Sequence, residues 1–276
     1  MKKKKNLIFS LLMIMMVFNL AACVSSNQNA SGNSDEDNQV AEEQKEPGKV
    51  TIYLVRHGKT ILNNTDRAQG WADGPLIPEG EELIKNVGKG LSTIPFTAAY
   101  SSDSGRAIQT ANLILAENQT DAKNLELIQK QGIREGYFGS YEGEKNEVMW
   151  GDAAKHLGFD SQEELLASGG NIIEKIMNAV SEIDPSGEAE SYEELNERAF
   201  SEFKLIADEA YQNGGGDVLV VSHGITMGTI LAQIDVNKVP AAGFANGSVT
   251  KFEYDGKDWN VLEVNELKYV EEGKSK

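Results

Sequence analysis

Two histidines follow apolar segments that end in the same way. Val50–Val55 is rich in β-branched residues, and His57 follows it as part of a His-Gly pair. Val218–Val221 is equally apolar, and His223 follows in a second His-Gly pair. Such segments predict buried strands, and ligands of open α/β sheets bind beyond the carboxyl ends of the strands. If the two strands are neighbours in the sheet, both imidazoles meet at one edge of it. Neutral imidazole is a nucleophile near pH 7, so this edge would be a candidate site for covalent catalysis.

Two arginines are placed where they could bind an anion. Arg56 precedes His57, and Arg106 falls in the first turn of a helix predicted over Ser104–Glu117. A cation in the first turn opposes the helix dipole, and a bound anion would offset that cost. Guanidinium groups bind phosphate oxygens bidentately. Either arginine alone could equally pair with one of the 43 acidic residues. Together with the histidines they favour a phosphate site.

Strands alternate with helices along most of the chain, which predicts an α/β fold: a three-layer α/β/α sandwich with a largely parallel mixed sheet. Helices are expected over Glu79–Leu91, Ser104–Glu117, Tyr192–Gln212 and Ile225–Ile234, and strands over Val50–Val55, Phe96–Tyr100, Leu125–Ile128, Val218–Val221, Ser248–Tyr254 and Trp259–Val264.

Two parts of the chain have weaker patterns. Residues 136–191 combine aromatic residues with short helical patterns, which is typical of a lid or substrate wall. His156 lies there without the strand context of the other histidines, so we interpret it as an ordinary lid residue. Lys268–Lys276 is expected to be a loose tail.

The first 48 residues predict export and anchoring. Residues 1–22 have a basic start, a short apolar run and small residues before Cys23, and they resemble a bacterial lipoprotein signal peptide. That resemblance implies lipidation of Cys23 and anchoring at the extracytoplasmic face of the cell membrane; an uncleaved anchor is the alternative. Residues 23–48 are polar and predict a disordered tether, so the globular domain is expected over 49–267.

Composition excludes several functions. The chain carries a net charge of −17 with four of its lysines at the extreme N-terminus, so its surface repels nucleic acid and anionic membranes. Metal-ligand motifs, a Gly-x-Gly-x-x-Gly pattern and a Walker A loop are all absent from the sequence, so we expect no metal and no cofactor.

An ordered set of motifs resembles the phosphoglycerate-mutase-like branch of the histidine phosphatase superfamily. The matches run from about Val50 to Val264 and comprise Arg56–Gly58 with Thr60 and Asn63, Gln69–Trp71 with Asp73 and Leu76, Ser101–Ala111, Ile133–Gly143, Glu190–Arg198 and Val221–Gly224. Lys59 departs from the glutamate that is common in the family. Gly224 after the second histidine points away from the acid-phosphatase and phytase branch.

The resemblance implies a role for each matching residue. His57 corresponds to the nucleophile that becomes phosphohistidine, and Glu135 to the proton donor. Glu142 competes for the latter role but is interpreted as structural. The implied phosphate clamp consists of Arg56, Arg106 and His223, and the implied substrate pocket includes Asn63, Gln69 and Gly70.

The sequence leaves three functions open. The first is a phosphomonoesterase that hydrolyses small phosphorylated substrates through His57. The second is a phosphoglycerate mutase, which would use the same clamp to move a phosphoryl group between hydroxyls. The third is a non-catalytic lipoprotein that binds a phosphorylated ligand. The predicted location outside the membrane favours hydrolysis; the natural substrate and the oligomeric state stay open.

Overall fold

The structure is a computed structural model that describes residues 46–276. The predicted signal peptide, the lipidation at Cys23 and most of the tether lie outside the described residues. In the described part, no helix is long and apolar enough to cross a membrane.

The described residues form a six-stranded mixed sheet. Its strands are β1 (Val50–Arg56), β2 (Phe96–Ser102), β3 (Leu127–Lys130), β4 (Gly216–Ser222), β5 (Val249–Tyr254) and β6 (Trp259–Glu266). The spatial order is β3-β2-β4-β1-β5-β6. The first four strands in this order are parallel, whereas β5 and β6 add an antiparallel edge. The predicted largely parallel mixed sheet is confirmed.

Helices cover both faces of the sheet. They are α1 (Ile61–Asn64), α2 (Pro78–Gly90), α3 (Gly105–Ala116), α4 (Asn146–His156), α5 (Gln162–Ala167), α6 (Ile172–Ile183), α7 (Tyr192–Gln212), α8 (Gly224–Asp235) and α9 (Lys268–Lys274). Successive side chains of a strand point to opposite faces. Accordingly Ile52 and Leu54 pack in a core with α4–α8, whereas Tyr53 and Val55 pack in a second core with α2, α3 and α9. The fold is therefore a three-layer α/β/α sandwich.

Residues 136–191 are more regular than the sequence predicted. They contain α4, α5 and α6, and the buried side chains of Met149, Leu165 and Met177 join the core on one face of the sheet. The three helices form one wall of the domain because each has an apolar face, and these faces are buried against the rest of the core.

The prediction of a loose C-terminal tail is wrong. Helix α9 packs along α2, and the side chains of Tyr269 and Val270 are buried. Gly90 of α2 contacts the backbone of Tyr269, and Gly273 contacts the backbone of Asn86. A side chain at either glycine would separate the two helices, so the sequence Lys-Tyr-Val-Glu-Glu-Gly-Lys gains its order from tertiary contacts.

Candidate active site

The register of the sheet brings the two histidines together. β1 and β4 are parallel neighbours with Arg56 opposite Ser222, and the His57 amide donates to the Ser222 carbonyl at 3.0 Å. The rings of His57 and His223 lie 5.1 Å apart between centroids, and both residues are buried. The meeting of the two imidazoles, expected if their strands were neighbours, is confirmed.

His57 is held with one ring nitrogen available for attack. Its Nδ1 lies 2.8 Å from the Gly58 carbonyl oxygen. Because a carbonyl only accepts, Nδ1 carries the proton and Nε2 retains its lone pair. Burial and the nearby charges of Arg106 and Arg56 hold the pKa of His57 well below its usual 6.5. The ring is therefore neutral at pH 7, which is the nucleophilic form.

His223 has the opposite tautomer. Arg106 Nε donates to its Nδ1 at 3.1 Å, so the proton of the neutral ring resides on Nε2. Burial, followed by the charge of Arg106, lowers the pKa of His223 well below 6.5. Its Nε2 is buried and has no hydrogen-bond partner. His223 is therefore a neutral hydrogen-bond donor rather than a cation.

Arg106 donates hydrogen bonds to His223 and to a nearby loop. In addition to the bond to His223, its Nη1 donates to the Ala72 carbonyl at 3.0 Å and to Asp73 Oδ1 at 2.9 Å, and its Nη2 donates to the Gly70 carbonyl at 2.7 Å. The side chain is fully buried. In this arrangement Arg106 positions His223 and the loop of residues 70–73, and its implied role in the phosphate clamp stays a prediction.

Three buried N–H donors at the site have no protein partner. Besides His223 Nε2, they are Arg56 Nε and Gln69 Nε2. Arg56 is anchored because its Nη1 donates to the Phe244 carbonyl, and Gln69 is anchored because its Oε1 accepts from Thr60 Oγ1 at 2.6 Å. Buried donors are almost always paired, so this set is suited to an anion with several oxygens.

The remaining predicted pocket residues divide between the site and its support. Asn63 lines the pocket and forms a capping box with Thr60 at the start of α1. Gly70 does not line it: its amide donates to Glu142, and a side chain there would meet the Gly136 carbonyl. Gly70 therefore allows two loops to pack closely.

Glu135 lines the same pocket as His57, and the start of α8 holds its carboxylate. The Ile225 amide donates to it at 3.1 Å and the Thr226 amide at 2.9 Å. The Thr226 hydroxyl donates to the Arg134 carbonyl at 2.7 Å and lies 3.0 Å from Glu135 Oε1. From behind, Arg198 donates to the Glu135 carbonyl at 2.7 Å and is itself paired with Glu190. The carboxylate is thus fixed at the pocket wall.

Glu142 has a structural role. Its two carboxylate oxygens accept from the backbone amides of Gly70, Trp71, Ala72 and Phe138 at 2.8–3.1 Å. It thereby closes the loop whose carbonyls hold Arg106. Glu142 is also absent from the residues that line the pocket.

Sequence reasoning missed two supporting residues. Asn246 donates from Nδ2 to the His57 carbonyl at 2.9 Å and lies 3.4 Å from Asn63 Oδ1. Thr226 donates to Glu135. Asn246 lies in a loop without periodicity, so no sequence pattern marked it. Thr226 follows the second His-Gly pair by two residues, and its place near a helix N-terminus was a usable signal.

The pocket has a volume of about 410 Å³ and extends from Arg56, His57 and Glu135 to α4–α6 and the segment 236–244. Within residues 46–276 there is no group of three histidine, cysteine or acidic residues placed to hold a metal ion. The unpartnered hydrogen-bond donors of Arg56 and Gln69 in the pocket are N–H groups, which suit an anion.

Comparison with known proteins gives a consistent assignment. The model of the histidine phosphatase superfamily (branch 1) matches residues 52–267. The probable phosphoglycerate mutase GpmB of an Enterobacter species is 29% identical over 220 residues, which are 76% of this chain and 87% of that protein.

Solved structures agree. The phosphoglycerate mutase from Bacillus anthracis is 43% identical, with a TM-score of 0.78 over 83% of this chain and 98% of that one. YhfR from Bacillus stearothermophilus is 26% identical, with a TM-score of 0.62 over 80% and 99%. The region that the family model matches contains both histidines and all of the sheet except the first two residues of β1, and the chain belongs to the histidine phosphatase superfamily, branch 1.

Proposed function

We propose that this protein is a phosphomonoesterase that acts through a phosphohistidine on His57. The observation that carries the proposal is the combination of a lone pair on His57 Nε2 with three nearby unpartnered donors. Arg56 and Gln69 line the same pocket as His57, and the ring of His223 lies 5.1 Å from the ring of His57. A phosphoryl group spreads negative charge over its non-bridging oxygens in the transition state, and fixed donors stabilise that charge.

In the first step, His57 Nε2 attacks phosphorus while the bond from phosphorus to the ester oxygen breaks. The electron pair of that bond goes to the leaving oxygen, which takes a proton from the protonated form of Glu135. The products are a free alcohol and phosphohistidine. Arg56 supplies a cation, His223 supplies a neutral donor, and Arg106 keeps His223 in the required tautomer.

In the second step, water attacks phosphorus and the bond to His57 Nε2 breaks. The Glu135 carboxylate takes a proton from this water, which restores the acid for the next cycle. The sum of the two steps is a phosphate ester plus water giving an alcohol plus inorganic phosphate. The proposed chemistry uses side chains alone, so we expect activity without a metal or cofactor.

Phosphoglycerate mutase is the second candidate, because relatives of this chain carry that name, including the Bacillus anthracis protein at 43% identity. A mutase would return the phosphoryl group from His57 to a second hydroxyl of a phosphoglycerate. The two reactions share the first step, so the product decides between them.

The test incubates the purified protein with 3-phosphoglycerate and with a panel of phosphomonoesters. Inorganic phosphate supports a phosphatase, and 2-phosphoglycerate supports a mutase. His57→Ala should lose turnover by at least about a thousandfold while retaining its thermal midpoint, since removal of a covalent nucleophile has effects of this size or larger. A near-normal rate for His57→Ala would refute both candidates.

We also propose that the protein is anchored by lipid on Cys23 at the extracytoplasmic face of the membrane. Support comes from the basic start, apolar run and small residues that precede this single cysteine. Cells fed a labelled fatty acid should label the wild-type protein but not Cys23→Ser. Unlabelled wild-type protein, or equal labelling of both, would contradict the proposal.

A further inference from the structure

The pocket combines polar groups around His57 with a mainly apolar lining elsewhere. Apart from the residues around His57, it is lined mainly by apolar side chains of α4–α6 and of the segment 236–243, among them Trp150, Leu166, Ile173 and Val239. The polar side chains of Asn146, Gln162 and Asn171 belong to the same lining. Ligand pockets of this size enclose ligands much larger than a phosphate. We call this part of the pocket the far end; it is a second, mainly hydrocarbon-lined compartment that is continuous with the phosphoryl end.

Few ionisable residues line the pocket. Among the residues lining the pocket, the ionisable ones are Arg56, His57, Glu135 and Arg67. The first three take part in the proposed reaction. Arg67 is the remaining one, and its Nη1 already donates to the Gly143 carbonyl at 2.7 Å. Arg67 is thus the single cation of the lining, outside the proposed reaction, that is left to meet a second anionic group.

A phosphoglycerate fits this pocket poorly. It is a three-carbon ester whose carboxylate has only Arg67 as a charged partner beyond the groups of the proposed reaction, and an ionised group that loses water without gaining a partner is strongly disfavoured. Its short chain would also leave most of the apolar surface in contact with water. An apolar alcohol portion would instead bury that surface, which is favourable in proportion to the area covered.

We infer that the substrate is a phosphate monoester of an apolar alcohol whose hydrocarbon occupies this second compartment. The inference rests on the proposed function for the orientation of the substrate, with phosphorus at His57. It assigns Leu166 of α5 and Ile173 of α6 as specificity-determining residues. In this arrangement α4–α6 act as a wall that binds the leaving group.

The test measures kcat/KM for the n-alkyl phosphates from ethyl to octyl, with 3-phosphoglycerate for comparison. Burial of one methylene corresponds to about a fourfold gain. We expect kcat/KM to rise by about this factor per carbon, mainly through KM, until the compartment is filled. 3-Phosphoglycerate should be the poorest substrate of the series.

Two matched variants locate the effect. Leu166→Asn places a polar group in the compartment and should flatten the dependence on chain length. Leu205→Asn makes the same change on α7, where Leu205 is 59% exposed and lies outside the pocket, and should leave the dependence as in the wild type. Equal slopes for wild type and Leu166→Asn would overturn the assignment of the compartment.

Two results would overturn the inference while leaving the proposed function intact. One is hydrolysis of all alkyl phosphates at the same kcat/KM. The other is a preference for 3-phosphoglycerate that Arg67→Gln abolishes, which would make the far end an anion subsite.

Measurements of binding affinity test the compartment independently of the proposed reaction. Alkylphosphonates cannot be hydrolysed at their carbon–phosphorus bond, and their affinity can be measured by calorimetry. If no ester is hydrolysed but phosphonate affinity rises with chain length, the proposed function fails and the compartment stands. If affinity is also independent of length, both fail.

Discussion

The two buried histidines predict a specific dependence of stability on pH. The pKa of each ring is held well below 6.5 in the folded protein by burial and by the neighbouring arginines, whereas the unfolded chain has ordinary histidines. Between pH 6.5 and the lower folded values, the unfolded state therefore binds more protons. Stability from these groups is fully present above pH 6.5 and is lost as the pH falls below it.

The magnitude is set by linkage. Each histidine contributes a slope of about 1.4 kcal/mol per pH unit below its unfolded pKa. Between pH 7.5 and pH 5.5, His57 and His223 together should lower the free energy of unfolding by about 2.7 kcal/mol. That is a large fraction of the roughly 5–15 kcal/mol that stabilises a typical domain.

The assay is urea unfolding at pH 7.5 and 5.5, in buffers without phosphate, for the wild type and for variants His57→Asn, His223→Asn and the double variant. Carboxylates titrate in all four proteins, so their contribution cancels in the comparison. The loss on acidification should be smaller by about 2.7 kcal/mol in the double variant and by about half of that in each single variant. Equal pH dependence in all four would show that the folded protein protonates these rings normally, which would refute the neutral-histidine site.

Further predictions concern the two carboxylates, the C-terminal helix and metal removal. Glu135→Gln should slow hydrolysis most for alkyl phosphates and least for nitrophenyl phosphate, because a good leaving group needs no proton; an equal loss for both would refute the acid role. Glu142→Gln should lower the free energy of unfolding by about 2–4 kcal/mol, measured in urea, because backbone amides lose a charged acceptor, and it should slow all substrates alike. Truncation after Leu267 should cost about 3–5 kcal/mol through exposure of the surface that Tyr269 and Val270 bury, and an unchanged urea midpoint would contradict the packing of α9. Activity should survive EDTA in an inorganic phosphate assay, whereas strict dependence on added metal would contradict a mechanism based on side chains alone.

The sequence was sufficient to predict the sheet and the pair of histidines. Val50–Val55 and Val218–Val221 are apolar enough to be central strands, and a parallel register then brings the residues just beyond each strand to one edge of the sheet. The role of each histidine could not be predicted in this way. The tautomers depend on Gly58 and on Arg106, and the latter is 117 residues from His223.

Other features were hidden because they depend on tertiary contacts. Arg106 is placed correctly in the first turn of its helix, but the loop that occupies its nitrogens is closed by Glu142, from another part of the chain. Helix α9 has too few apolar residues for its periodicity to stand out, and it is ordered by close contact of Gly90 and Gly273 with the facing helix.

Glu135 and Glu142 show how the structure separates residues of the same type that lie close together in the sequence. Both belong to the segment Ile133–Gly143. Glu142 accepts from four backbone amides that belong to loops of the fold, and it is absent from the residues that line the pocket. Glu135 is held at the pocket wall by the start of α8, the same helix that follows His223. One helix terminus therefore holds both His223, which is the N-cap residue of α8, and the Glu135 carboxylate, which accepts from the first amides of that helix.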